Sequence, residues 1–294
     1  EASRRWPFII LKKKTSDEAA GPCPWCGGND RFRIWTNGNY ECRVAPGHCG
    51  RSGWIDEESR VPLTAQELLE MRVAAVERQQ QEHEKRLSAL ERIAKCTDYL
   101  AYHRNMSDEA WLYWNQQGML SETITRYQLG YCQRCPTDYE GRPSYTIPVI
   151  NGGKLRNIRH RLVGASNGDK YRPHLAGLPP TLFNADYITQ PQSDEILIVE
   201  GEKKSIISAQ LGFPNVGIMG KSGFKPEWAK YFAQFTRVSV ALDPDATDSA
   251  VEIAKLFDRR GRVVSLPDKL DDLIVSMGAT AVDIQAMIDF GRPV

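Results

Sequence analysis

Two stretches of this chain place carboxylates where an apolar strand has to end. Ile196-Leu197-Ile198-Val199 runs into Glu200-Gly201-Glu202-Lys203-Lys204, and Val238-Ser239-Val240-Ala241-Leu242 runs into Asp243-Pro244-Asp245. Unbroken apolar runs of this length suit strands of a parallel sheet buried on both faces. Carboxylates crowded at neighbouring strand ends repel one another unless a cation sits among them. Mg²⁺ and Mn²⁺ take such oxygens and leave their other positions to water and phosphate. A pair of metals held this way clamps the attacking and leaving oxygens of a phosphoryl transfer. Glu200, Asp243 and Asp245 are therefore the candidate catalytic and metal-ligating residues.

A second cluster lies near the amino end, where Cys23-Pro24-Trp25-Cys26-Gly27-Gly28 is followed by Cys42 and then by Gly47-His48-Cys49-Gly50. A C-x₂-C turn with further thiols about fifteen residues on is the pattern of a structural zinc ribbon. The expected ligands are Cys23, Cys26, Cys42 and Cys49, with His48 as the alternative fourth. Between them, residues 30–35 alternate polar and apolar like a strand, and Asn37-Gly38 suits a hairpin turn. Arg31, Arg33, Arg43 and Arg51 interleave with Trp25, Phe32, Trp35, Tyr40 and Trp54, a combination that grips single strands by stacking and phosphate contact. Phe32 and Trp54 are expected in the small core instead. Cys132-x₂-Cys135 has no second pair nearby and is read as packing.

These groups need elements to hold them. Residues 62–95 read as one long helix opened by a Thr64-x-x-Glu67 capping box, with no apolar residue from Arg78 to Arg86. Residues 99–131 are helical and rich in aromatics; strands follow near 145–150 and 155–163, on either side of Asn151-Gly152-Gly153. The implied organisation is a zinc ribbon (1–60), a helical linker (61–98), a basic subdomain (99–190) and a catalytic domain (191–294). Arg156, Arg159 and Arg161 lie on one expected strand, but steps of three and two do not put all of them on one face.

With 294 residues, 41% apolar and 26% charged, the chain is long enough for more than one core. It has neither an apolar run of membrane-spanning length nor a signal-peptide pattern, so a cytoplasmic protein with no membrane partner is expected. The formal charge of +1 is unevenly spread. Residues 141–175 hold seven Lys/Arg against one Asp, and residues 236–294 hold seven against ten acids. A basic region beside an acidic one suits a chain that grips a polyanion with one part and metal with the next.

Taken in order, the zinc ribbon, the helix, Leu129-Gly130-Tyr131, Ile147-Pro148-Val149 with its basic neighbour strand, Asp169-Lys170-Tyr171-Arg172, Glu200-Gly201-Glu202-Lys203 and Asp243-Pro244-Asp245 resemble the bacterial-type DNA primases and their phage and plasmid relatives. The region from about Glu195 is similar to the topoisomerase-primase (Toprim) fold. The resemblance implies an α/β chain: zinc ribbon, helical linker, basic α+β subdomain and a Toprim domain with a mostly parallel sheet. It implies that Glu200, Asp243 and Asp245 hold Mg²⁺ or Mn²⁺, that Asp271 or Asp272 matches a later acidic motif, and that Arg161, Lys170 and Arg172 match a template-binding ridge. Arg156, Arg159 and Tyr171 extend that ridge. Lys204 and Lys269 stand where the family often has acids.

Lys203, Lys204 and Lys221 would surround the metal edge with charge suited to a triphosphate. Gly220-Lys221-Ser222 is no phosphate-binding P-loop, because Asn215 occupies the position of that loop's first glycine. The expected activity is synthesis of short RNA primers from ribonucleoside triphosphates on single-stranded DNA, with a replicative helicase, fused or separate, as partner. A Toprim nuclease using the same carboxylates, and a non-catalytic module that binds single-stranded DNA, are the competing readings.

Overall fold

The computed structural model describes residues 11–43, 49–55, 65–165 and 170–294. The chain divides into two compact units, residues 1–79 and 80–294. In the first, β1 (Lys12–Lys13), β2 (Glu18–Cys23), β3 (Gly27–Trp35), β4 (Asn39–Cys42) and β5 (Ser52–Trp54) form an antiparallel sheet in sequence order. The turn expected at Asn37-Gly38 joins β3 to β4; Gly38 takes φ 88°, and Asn37 Oδ1 accepts from Asn39 N–H at 3.0 Å. Phe32 is fully buried as expected. Tyr40, however, takes the core place assigned to Trp54, which stays half-buried. Trp25, Phe32 and Tyr40 pack with ring centroids 5.5–6.0 Å apart.

Helix α1 (Ala65–Ala94) is the long helix of the sequence reading; Thr64 of its expected capping box lies outside the described residues. Ala89 and Ile93 near its end are buried. In the second unit, α2 (Asp98–Arg104), α3 (Asp108–Gln116) and α4 (Ser121–Arg126) lead into an antiparallel sheet of β6 (Gly130–Cys132), β7 (Ser144–Asn151), β8 (Lys154–Leu162) and β9 (Tyr171–Pro173). Short α5 (Asp186–Thr189) precedes an α/β layer. That layer contains β10 (Glu195–Glu200), α6 (Glu202–Gln210), β11 (Asn215–Ile218), β12 (Arg237–Ala241), α7 (Thr247–Lys255), β13 (Gly261–Val263), α8 (Leu270–Val275), α9 (Ala281–Asp289) and β14 (Arg292–Pro293). Its strand order is β11-β10-β12-β13-β14, parallel except at β14. Among the described residues no helix is long and apolar enough to cross a membrane.

The apolar run of β10 is explained by burial on both faces. Ile196 and Ile198 pack with Val238, Val240 and Phe232, while Leu197 and Val199 pack with Leu266, Leu270, Leu273 and Ile284. A third core joins the basic sheet to this layer, bringing Trp114, Ile147 and Phe183 against Ile206 and Ile207 of α6. Phe183 also bridges to Gly217 through backbone bonds of 2.9 and 3.1 Å. Gly217 has to be glycine, since a Cβ there would lie 2.9 Å from Gly201 O and 3.0 Å from Ser205 Cβ. Gly217→Val is expected to destabilise the fold by about 1–3 kcal/mol through overpacking, read as a lowered Tm.

Candidate functional site

The ribbon's thiols meet where two hairpin ends converge. Cys23 closes β2, Cys26 precedes β3 and Cys42 closes β4; with Cys49, their Sγ atoms all lie within 4.8 Å of one another. The Cys23–Cys49 and Cys26–Cys42 pairs are each 3.6 Å apart. A zinc–thiolate bond of about 2.3 Å sets tetrahedral ligands about 3.8 Å apart, so the set fits zinc. Burial, and hydrogen bonding to the Cys26, Cys49 and Cys23 sulfurs, push the Cys42 thiol up to about 12. Such crowding is relieved when a cation takes all four as thiolates. Cys49 completes the set; His48 lies outside the described residues. Arg51 sits 5.2 Å from the Trp25 ring centroid. Cys132 and Cys135 are buried and bond to Arg134 O and Thr137 Oγ1 instead.

The acidic edge is positioned by register. Parallel pairing of Val199 with Ala241 brings the ends of β10 and β12 side by side, so Glu200 and Asp243 emerge at the same carboxyl edge. Gly201, at φ 85°, makes the sharp turn from β10 into α6. Burial, then the charge of Asp243, pushes the Glu200 carboxyl above its ordinary value. Among the described residues, Glu200, Asp243 and Asp245 do not close to mutual ligating distance as the thiols do. Lysines occupy the acids instead: Lys204 Nζ lies 2.6 Å from Asp243 Oδ1, Lys203 pairs with Asp271, and Lys221 stands 3.8 Å from Asp245.

The three lysines expected around the metal edge are thus each paired with one of its acids. Lys204 and Asp243 are nearly enclosed, with side chains 12% and 11% exposed, and that charge balance lets two like-charged strand ends sit together. Of the two adjacent acids, Asp271 is the one that meets the lysines. Burial works to raise its carboxyl, but Lys203 and Lys204 bring it below the ordinary value. These pairings were not read from sequence, although Lys203 and Lys204 follow Glu200 so closely that the first turn of α6 carries them back over the edge.

The basic strand is also better organised than its spacing suggested. Val149 pairs with Asn157 and Ile150 with Leu155, so Arg156 is the extra residue of a bulge. The bulge adds one residue to the count. Leu155 and Ile158 are both buried, and Arg156 and Arg159 line one cavity with Glu202 and Met219. Arg161, two residues further along, follows Arg159 on that face, correcting the expectation that the three could not share it. Arg159 donates to Glu202 at 2.9 Å, and Arg161 lies 5.6 Å from the centroid of Tyr113, which stacks on Tyr145.

Tyr171 pairs across from Arg161, whereas Arg172 pairs across from buried His160 and donates to Thr137 O. Arg172 is thereby turned from the face that carries Arg159 and Arg161. The charge of Arg161, then burial and the charges of Lys203 and Lys269, hold the Lys170 ammonium below its ordinary value. Cations thus crowd beside the acidic edge.

A family model described as the zinc-binding domain of primase-helicase matches residues 18–55. The Gene 57 protein of Mycobacterium phage D29 is 26% identical over 148 residues, 48% of this chain and 96% of that protein. The structure of the Aquifex aeolicus primase, with its zinc-binding and RNA polymerase domains, superposes with TM-score 0.54 and 16% identity over 98% of this chain and 82% of that one. The RNA polymerase domain of Mycobacterium tuberculosis primase DnaG, solved with double-stranded DNA, gives TM-score 0.55 and 15% identity over 70% of this chain and 81% of that one. The chain therefore carries the zinc ribbon of the primase-helicases at residues 18–55 and, with it, the fold of the bacterial primase polymerase core.

Proposed function

We propose that the chain is a DNA primase, joining ribonucleoside triphosphates into a short RNA on a single-stranded DNA template. The observation that carries this reading is the edge itself: Glu200 and Asp243 at adjoining ends of parallel strands, with Arg161, Lys170, Lys203 and Lys269 crowded beside Asp271. Carboxylates alone serve many metal enzymes. Carboxylates flanked by a basic sheet face suit a substrate made of phosphates.

Glu200, Asp243 and Asp245, with Asp271, would hold Mg²⁺ or Mn²⁺, which activates the primer 3′-hydroxyl and neutralises the triphosphate when bound. Lys203 pairs with Asp271 and Lys204 with Asp243 in the free protein, and both pass their charge to triphosphate oxygens when nucleotide arrives. Arg156, Arg159 and Arg161 take template phosphates, and Tyr171 beside Arg161 offers a ring for stacking. The substrate's own 3′-hydroxyl attacks the α-phosphorus and pyrophosphate leaves, so no side-chain nucleophile is required. Arg161→Ala is expected to weaken binding of single-stranded DNA at every sequence and to reduce the slope of log K against log salt by about 0.7, one phosphate contact; fluorescence anisotropy across salt concentrations measures it.

Incubation with single-stranded templates, Mg²⁺ or Mn²⁺ and labelled ribonucleotides tests the function. Short RNA products support the primase. Shortened template without nucleotides supports a nuclease, and binding with no product in either metal supports a DNA-binding module.

A further inference from the structure

The junction between α1 and α2 carries a cluster that nucleotidyl transfer does not use. Cys96 follows α1, Asp98 opens α2, and His174 follows β9 directly. One ligand atom from each lies within 4.8 Å of the other two. His174 Nε2 is 3.8 Å from Cys96 Sγ and 3.5 Å from Asp98 Oδ2. A tetrahedral zinc with ordinary bond lengths sets sulfur–nitrogen and nitrogen–oxygen ligand pairs about 3.4–3.6 Å apart. The cluster is thus within a few tenths of an ångström of a closed site.

A chain of hydrogen bonds behind His174 gives a second, separate observation. Ser144 Oγ and His160 Nδ1 share a hydrogen bond of 2.9 Å, and His160 Nε2 and His174 Nδ1 one of 3.0 Å. Ser144 and His160 are wholly buried, so the ring that His174 rests on is held in place. That contact at Nδ1 turns the His174 ring so that Nε2 faces the Cys96 thiol and the Asp98 carboxylate. A fixed hydrogen-bond partner at the other ring nitrogen is also how metal-bound histidines are oriented.

We propose that Cys96, Asp98 and His174 form a second transition-metal site, taking zinc or a similar borderline divalent cation with water in the fourth position. The set of thiolate, imidazole and carboxylate selects such a cation over Mg²⁺ or Ca²⁺. Binding deprotonates the Cys96 thiol and releases that proton to solvent. The metal ties the helical junction to the end of β9, and so braces the sheet that carries Arg159 and Arg161. This site stands independently of the primase reading.

Metal content of the full chain, measured by native mass spectrometry after saturation with Zn²⁺ and removal of excess, tests it. The expected result is about two zinc ions per chain in the unaltered protein and about one in Cys96→Ser and in His174→Ala, the ribbon ion being kept. Asp98 is largely exposed, so Asp98→Asn leaves the fold intact and provides the control should either of the others unfold. It is expected to weaken the second equivalent about tenfold or more, while the ribbon equivalent stays tight. One zinc ion in the saturated protein, or two held unchanged in Asp98→Asn and Cys96→Ser, overturns the proposal.

Discussion

Asp243→Asn is expected to lower primer synthesis by about a thousandfold or more while leaving binding of single-stranded DNA in place. A cation at the reacting oxygens contributes several kcal/mol to the transition state, and each 1.4 kcal/mol is about tenfold in rate. Asp243 follows β12 beside Glu200, where its loss would remove one of the proposed metal ligands from the centre of the edge. The alanine variant adds a second effect. Lys204 Nζ rests on Asp243 Oδ1 in a nearly enclosed pair, and stripping one partner from a buried pair costs about 3–5 kcal/mol. Asp243→Ala is therefore expected to melt earlier as well as to lose activity. Asp243→Ala combined with Lys204→Met is expected to regain much of the melting temperature and none of the activity, which separates the structural loss from the chemical one.

Removal of zinc is expected to unfold the ribbon. Its core consists of Phe32, Ile34 and Tyr40 with Cys23 and Cys42, too little apolar surface to hold a sheet of this size. Binding of structural zinc supplies about 10–16 kcal/mol in such modules, and that energy is folding energy. Cys42 is 1% exposed, so Cys42→Ser also leaves a hydroxyl buried among thiols. Amide exchange in residues 18–55 is expected to rise to the unprotected rate after chelation or in Cys42→Ser, with residues 195–263 keeping their protection. If the metal were dispensable, the β3–β4 amides would stay protected after chelation.

What sequence made legible here were features encoded along one segment. The Cys23-x₂-Cys26 turn, the Asn37-Gly38 hairpin, the long helix and the two strands ending in Glu200 and Asp243 each declare themselves by residue type at fixed spacing. Features that depend on a partner segment stayed hidden. Arg156 joins the face of Arg159 and Arg161 only because β8 bulges against β7, and no count along β8 reveals that. The contact of Lys204 with Asp243 depends on β10 and β12 lying side by side, and that of Lys203 with Asp271 on where α8 begins. Tyr40 rather than Trp54 fills the ribbon core because the pairing of β4 with β3 aims Tyr40 inward beside Phe32. The His160–His174 contact spans β8 and β9, whose pairing was not foreseen.

As proposed, the Glu200–Asp243 edge joins nucleotides and begins the chain without a pre-existing primer. In that chemistry the first nucleotide keeps its triphosphate, because its 3′-hydroxyl is the attacking group and only later nucleotides give up pyrophosphate. Mass spectrometry of products made on a defined single-stranded template measures this directly. Short oligoribonucleotides complementary to the template, carrying a 5′-triphosphate and absent from the Asp243→Asn reaction, are expected. Products that lack the 5′-triphosphate, ignore the template sequence or persist undiminished in Asp243→Asn would contradict the proposal.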